Sequence, residues 1–304
     1  MATGVDPTPR PAAIGIDLGG TKIAGVVLAG DGREIARERI PTEREGGYTH
    51  IVARVAALVE RLREHAPGCR RVGIGTPGSL SARDGTLKNS NTVCLNGRPL
   101  RDDLARALGC DVVLENDANC FALAEVRAGA ARGARVAFGV ILGTGVGGGI
   151  VIDGRPWSGP QHVAGEWGHH RLSDDGPVCH CGQRGCVETF LCGPALERAY
   201  VTAGGPACDA AAVATRAAGG DATASAVLDR YVDRFGRALA NVVNILDPDV
   251  VVLGGGLSNL DVLYTHGVAA VRRYVFNDEL RTRIVRNALG DTAGVIGAAW
   301  LAIG

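Results

Sequence analysis

The chain has 304 residues, 46% of them hydrophobic, and its 32 Lys and Arg balance 32 Asp and Glu to a formal charge of zero. That length supports two sizeable cores, and the charge balance excludes a globally basic nucleic-acid binder or a chain drawn to anionic membranes by its overall field. The start, MATGVDPTPRPAA, lacks the apolar core of a signal peptide, and no apolar run approaches the roughly 20 residues of a membrane helix, so a cytoplasmic protein is expected.

Residues 1–12 read as a disordered, proline-rich lead. AIGIDLGG is then an apolar strand ending in glycines, KIAGVVLAGDG a second strand closing on the hairpin signal Asp31-Gly32, and REIARERIPT a third, which together predict an antiparallel meander. Apolar spacing from Tyr48 to His65 predicts a helix, and RVGIGT a short strand stopped by Pro77-Gly78. DVVLEND is a strand running into a polar end, after which a helix begins near Ala118. The second half repeats the plan: VAFGVILGTGVGGG is a strand into a glycine turn and GIVIDGRPW its returning strand, an echo of IGIDLGGTKIAGVVLAGDGR that suggests an ancestral duplication. A helix over Ala224 to Leu246, the buried strand DVVVLGGG and a closing helix GVIGAAWLA complete the chain. The expected division is a smaller lobe of residues 1–118, with 290–304 packing back on it, and a larger lobe of 119–289.

Three strand-terminal glycine turns carry the first chemical signal. They contain Asp17, Gly19, Gly20, Thr21 and Lys22; Gly143, Thr144 and Gly145; and Gly254, Gly255 and Gly256. Glycine lets backbone amides approach phosphate oxygens and threonine adds a donor, so three such turns favour a nucleotide over three ordinary hairpins. Neither a Rossmann nor a Walker loop fits, because the turns run into strands and no GxxxxGK[ST] occurs. Asp17 is placed to hold Mg²⁺ against phosphates, its plainer role being a turn cap. Lysine occurs only at 22 and 88, which singles out Lys22. Asn116 and Asp117 end the DVVLEND strand, where Asp117 reads either as a helix N-cap or as the carboxylate that receives a proton in phosphoryl transfer.

The second signal is GEWGHHRLSDDGPVCHCGQRGCVETFLC, residues 165–192. It sets Cys179, Cys181 and Cys186 near His169 at metal-ligand spacing, with His170 and His180 as rival fourth ligands, and interleaves Glu166 and Glu188. A tetrahedral Cys3His set suits structural zinc. Carboxylates beside it suit a polyol, since they accept paired hydroxyl hydrogens. Five of the nine cysteines (Cys69, Cys94, Cys110, Cys120, Cys208) are scattered and read as reduced thiols.

IGIDLGGTKIAG, GIGTPGS, LENDANC, ILGTGVGGG, AGEWGHH with CHCGQRGCVET, and DPDVVVLGGGLSN occur here in one order. In that combination, over Ile14 to Ala302, the chain resembles the ROK family of bacterial sugar kinases. The resemblance implies an α/β, actin-like/hexokinase (ribonuclease H-like) two-lobed fold with the active-site cleft between the lobes. It implies Asp117 as catalytic base; Gly78, Asn91, Asn116, Glu166, His169 and Glu188 as sugar contacts; and His169, Cys179, Cys181 and Cys186 as a structural Zn²⁺ site. Asp17, Gly19 to Lys22, Gly143 to Gly145 and Gly254 to Gly256 become the ATP and Mg²⁺ site. A homodimer is implied, and no nucleic-acid or membrane partner. Family members that are repressors carry an added N-terminal helix-turn-helix, whereas here the first strand begins near residue 13, so catalysis is expected. LKNSNTVCLNGRPL resembles the fructokinase and mannokinase branch, which makes an unsubstituted hexose phosphorylated at its 6-hydroxyl the expected substrate. N-acetylglucosamine kinase or glucokinase is the alternative, and a non-catalytic sugar sensor the reading from another class.

Overall fold

The computed structural model describes residues 12–303, so the lead, apart from Ala12, lies outside the described residues. The chain forms two compact units. One takes the residues up to Ala124 together with Gly159–His162 and the segment from Thr292; the other takes Glu125–Ser158 and Val163–Asp291.

In chain order the elements are β1 (Ala13–Leu18), β2 (Lys22–Leu28), β3 (Glu34–Pro41), α1 (Gly47–Arg63), β4 (Arg71–Thr76), β5 (Ser79–Leu80), β6 (Leu87–Lys88), α2 (Leu100–Leu108), β7 (Asp111–Asn116) and α3 (Asp117–Ala128). They continue with β8 (Val136–Leu142), β9 (Val146–Ile152), β10 (Arg155–Pro156), α4 (Glu188–Leu191), α5 (Gly193–Thr202), α6 (Ala210–Ala218) and α7 (Ala222–Leu246). β11 (Val250–Gly254), α8 (His266–Tyr274), β12 (Arg283–Arg286) and α9 (Ala293–Ile303) complete the order. The unit division falls inside α3, because the helix that starts at Asp117 runs without a break past residue 118.

Each unit is built on a five-stranded sheet, ordered β3-β2-β1-β4-β7 in the first and β10-β9-β8-β11-β12 in the second. In both, a central strand pairs antiparallel with its hairpin partner on one side and parallel with the next strand on the other. The repeated order accounts for the echo between the two glycine-punctuated halves of the sequence.

In the first unit, Ile51, Val55, Leu58, Val59 and Leu62 of α1 sit on one helical stripe and are fully buried with Ile14, Ile16, Val72 and Ile74 of the sheet. The other face is covered by α9, whose small residues allow near-contact of backbones. A Cβ on Gly15 would lie 2.3 Å from the Ala299 nitrogen, and one on Gly73 1.8 Å from the Ala298 oxygen. Trp300 closes over the Asp31-Gly32 turn, where a Cβ on Gly32 would meet its ring at 2.7 Å.

In the second unit, α7 buries Tyr231, Phe235, Leu239 and Val243 in a core shared with Phe138, Leu196 and Val251. Its Asp221 N-cap accepts from Ala224 N at 3.0 Å. The glycine run at 143–149 splits differently from the expected single turn, since only Gly143 to Gly145 turn while Gly147, Gly148 and Gly149 belong to β9. Packing is the reason: a Cβ on Gly148 would lie 2.6 Å from both Gly165 O and Trp167 Cδ1, and Trp167 Nε1 donates to Gly147 O at 2.9 Å. Among the described residues no helix is long and apolar enough to cross a membrane.

Candidate active site

The first unit gathers Asp17, Gly78, Asn116 and Asp117 at the carboxyl ends of its parallel strands. β7 aligns with β4 through Asn116 opposite Thr76, and β1 brings Asp17 opposite Gly75. Asn116 Nδ2 donates to Gly78 O at 3.1 Å. Gly78 has φ +89°, and a Cβ there would lie 2.4 Å from Lys88 O, so that position accepts only glycine. Asp117 opens α3, and its Oδ1 shares the Ala118 amide with Asn116 Oδ1, both at 2.9 Å. Asn116, directly before the helix, thus takes the capping bond, and Asp117, the first helical residue, adds a second acceptor to the same amide. Burial nonetheless raises the Asp117 pKa from the ordinary carboxylate value, against the lowering effect of those backbone amides.

Asp17 is pushed up to about 6, first by burial and next by the negative charge of Asp117, with Lys22 and Arg39 pulling the other way. Two carboxyls thus press on one another at the sheet end. A Cβ on Gly294, in the first turn of α9, would lie 3.3 Å from Asp17 Oδ2. The first glycine turn is a tight hairpin, with Gly19 N donating to Lys22 O at 3.0 Å and Thr42 Oγ1 to Gly19 O at 2.7 Å. Thr21 and Lys22 are exposed beyond it, and Gly20 backs onto Thr92 Oγ1, which a Cβ would approach to 3.3 Å. Asn91 is exposed on the loop that carries Thr92. Glu115, a residue no motif singles out, accepts at Oε1 from Asn116 N at 2.8 Å and from Asn119 Nδ2 at 3.0 Å, fixing the segment that presents Asp117. The acidic residue directly before the Asn-Asp pair was the available signal.

The second unit joins the other two glycine turns around a cavity of about 1050 Å³ that Gly143, Thr144 and Gly256 help to line. Gly254 ends β11, and Gly255 holds φ +78° with its Cα facing Leu142 O, which a Cβ would approach to 2.4 Å. Much of the remaining wall comes from α5, α6 and α7, including Glu197, Ala210, Ala214 and Leu228, and the segment 257–266 after β11 supplies the rest, Leu260 and Val262 among it. The α7 helix is legible in the sequence, but no motif marks α5 or the alanine-rich α6, nor the part any of the three plays in a cavity wall. Gly145 leads to the thiol loop: Val146 N donates to Glu188 Oε2 at 2.9 Å, and a Cβ on Gly145 would lie 2.7 Å from the same oxygen. Glu188 Oε1 lies 3.0 Å from His180 Nε2.

In that loop His169 Nδ1 is 3.6 Å from Cys179 Sγ, and Cys181 Sγ is 3.6 Å from Cys186 Sγ. Donor atoms of all four residues lie within 4.8 Å of one another. Ligands of a tetrahedral zinc with Zn–S near 2.3 Å stand roughly 3.8 Å apart, so the spacing of this donor set fits that ion. The loop curls because Gly182 and Gly185 take positive φ, and Gly185 leaves no room for a side chain, its Cβ position lying 1.6 Å from Ser173 O. Of the rival ligands, His170 is exposed and joins no donor cluster, while His180 belongs to an alternative set with His169, Cys179 and Glu188 and stands edge-to-face against the His169 ring at 5.0 Å. Glu166 is half-buried and accepts His169 N at its backbone oxygen, 3.1 Å away.

Residues 13–304 match the profile of the ROK family. The chain belongs to the ROK family. An N-acetyl-D-glucosamine kinase of Photobacterium profundum is 39% identical over 300 residues, covering 95% of this chain and 98% of the relative. Among solved structures, a ROK hexokinase from Thermus thermophilus superposes with a TM-score of 0.85 at 37% identity, over 95% of this chain and 96% of its own. A ROK glucokinase from Streptomyces griseus, solved with glucose and AMPPNP, gives 0.78 at 30% identity over 95% and 98%. The two matching sheets of this ROK chain thus have the actin-like hexokinase fold.

Proposed function

We propose that this ROK protein is an ATP-dependent sugar kinase that phosphorylates the 6-hydroxyl of N-acetyl-D-glucosamine, with Asp117 as general base. The observation that carries the reading is the half-buried Asp117 carboxylate at the end of β7, whose raised pKa brings its proton affinity toward that needed to take a hydroxyl proton near neutral pH. Relatives named N-acetyl-D-glucosamine kinase at 36–40% identity favour that sugar over the fructose or mannose suggested by LKNSNTVCLNGRPL.

Asp117 accepts the proton of the attacking hydroxyl while Asn116 and Gly78 hold the neighbouring part of the sugar. Glu166, His169 and Glu188 take further hydroxyls. The nucleotide occupies the cavity under Gly143, Thr144 and Gly256, with its apolar wall from α6 and α7 receiving the base. Asp17, a hard oxygen donor held in excess negative charge by Asp117, would be the ligand for Mg²⁺, which neutralises phosphate charge when bound. His169, Cys179, Cys181 and Cys186 would hold Zn²⁺, which freezes the loop that presents Glu188.

A coupled ADP-release assay with N-acetylglucosamine, glucose, mannose and fructose tests the reading. The highest kcat/KM is expected with N-acetylglucosamine. A higher value with fructose or mannose would overturn the substrate assignment, and the absence of any sugar-dependent ADP would replace the kinase with a sugar sensor.

A further inference from the structure

A second cavity of the second unit, of about 510 Å³, lies against α7 and takes no part in the chemistry above. Helical spacing builds its wall: Arg230, Arg234 and Arg237 occur at i, i+4 and i+7 of α7, so their stems leave on one stripe. Phe190 of α4 and Ser173 line it as well.

The three guanidinium groups are unequally matched. Arg237 donates from Nε to Asp233 Oδ2 at 2.9 Å, while Asp233 Oδ1 receives the Tyr274 hydroxyl at 2.7 Å and Arg273 at 3.2 Å. Arg230 and Arg234 form no ion pair among the described residues. Arg234 instead sets its guanidinium carbon over the Phe190 ring, 4.4 Å from the centroid, a cation–π contact that satisfies none of its N–H donors. Burial, then the like charge of Arg230, lowers its pKa. Asp229 shares the wall, but Asp233 is already saturated by two arginines and a tyrosine, so the cavity keeps an excess of positive charge. A half-buried guanidinium over an aromatic ring and beside a second cation is relieved most by an anion with several oxygens, which planar N–H pairs grip in parallel.

We propose that this cavity binds a phosphoryl dianion, carried by inorganic phosphate or by a small sugar phosphate, on Arg230 and Arg234 with the Ser173 hydroxyl as a further donor. The site neighbours the nucleotide cavity along α7, with Asp229 lining both, but Arg230, Arg234 and Ser173 belong to this one alone. The Ser173 wall is also the back of the thiol loop, since Leu172 N donates to Gly185 O at 2.7 Å and Ser173 O fills the space a Gly185 side chain would need. Phe190 follows Glu188 on α4. An occupant therefore bears on the segment assigned to sugar recognition; that consequence rests on the proposed function, whereas the binding itself does not.

The test is calorimetric titration of the wild type, Arg230→Gln and Arg234→Gln with inorganic phosphate, N-acetylglucosamine 6-phosphate and unphosphorylated N-acetylglucosamine, with chloride keeping the ionic strength constant. Saturable binding of at least one phosphorylated probe is expected in the wild type, weakened about tenfold or more in each variant. Binding of the free sugar and kinase turnover, measured on the same samples, should stay within about twofold, as expected for residues away from the reacting groups. The two phosphorylated probes distinguish a phosphate site from a sugar-phosphate site. Phosphorylated probes that bind no better than chloride, or that bind the variants as they bind the wild type, would overturn the proposal. Phosphate binding without kinase turnover would instead overturn the proposed function alone. Should Arg234→Gln fail to fold, Arg230→Gln, at an exposed side chain, decides by itself.

Discussion

Replacing Asp17 with Asn should make the ligand-free protein more stable at alkaline pH while removing its activity. The carboxyl of Asp17 is shifted from 3.8 to about 6, two units that correspond to about 3 kcal/mol against the charged form. Because the folded-state value is the raised one, the folded protein holds the proton more tightly than the unfolded chain. The favourable contribution is therefore complete below about 3.8 and lost as pH rises through about 6. At pH 8 the wild type carries the whole cost, and the amide carries none of it. Urea unfolding followed by circular dichroism should show Asp17→Asn more stable by about 3 kcal/mol at pH 8, with the gap falling to roughly half at pH 5, where the wild-type carboxyl is mostly protonated. Mg²⁺ should raise the melting temperature of the wild type and leave the variant unmoved. A gap that does not change between the two pH values, or a variant weaker than the wild type at pH 8, would refute the idea that crowding with Asp117 and burial leave this carboxylate waiting for a cation.

Asp117→Asn should lower kcat by about 10² to 10⁴ with little change in sugar KM, read by coupled ADP release; the acid limb of the wild-type kcat/KM profile should lie above the ordinary carboxylate range, as the raised Asp117 requires. Cys181→Ala should reduce bound zinc from about one ion per chain, measured by metal analysis, and raise the sugar KM. Glu125→Ala should cost about 3–5 kcal/mol in urea unfolding, because the fully buried Glu125 carboxylate accepts the amides of Ala130 at 2.7 Å, Ala288 at 3.1 Å and Leu289 at 3.0 Å, and alanine leaves all three unsatisfied.

Much of the fold could be read from the chain because strands and glycine turns punctuate it sharply. The strand read as RVGIGT is β4, the helix expected from Ala224 begins at Ala222, and the closing helix read from GVIGAAWLA is α9. What stayed hidden depended on tertiary neighbours. Gly147 to Gly149 resemble a longer turn until Trp167 and Gly165 are packed on them. The floor of the large cavity comes from alanine-rich α6, whose composition fits any helix, and α5 and α8 gave no clear apolar period. Among the candidate site residues, the thiol loop was legible because its clustered donor residues lie close in sequence. The mutual pressure between Asp17 and Asp117 was not, since it arises from the parallel placement of β1, β4 and β7. Arginines at 230 and 234 look in sequence like the solvent face of an amphipathic helix, and the ring of Phe190 under Arg234 is a tertiary contact the sequence does not show.

Ribosomal synthesis meets a delay in this architecture. The strands of the first sheet, β1 to β7, leave the ribosome long before α9, yet Gly15 and Gly73 have no other backbone to receive. While the intervening chain is being made, one side of the nascent sheet stays bare and sticky, a surface for holding chaperones and for clumping at high expression. Moving residues 292–303 ahead of residue 12 by circular permutation would turn the longest-range closure in the molecule into a local one, and refolding should quicken accordingly.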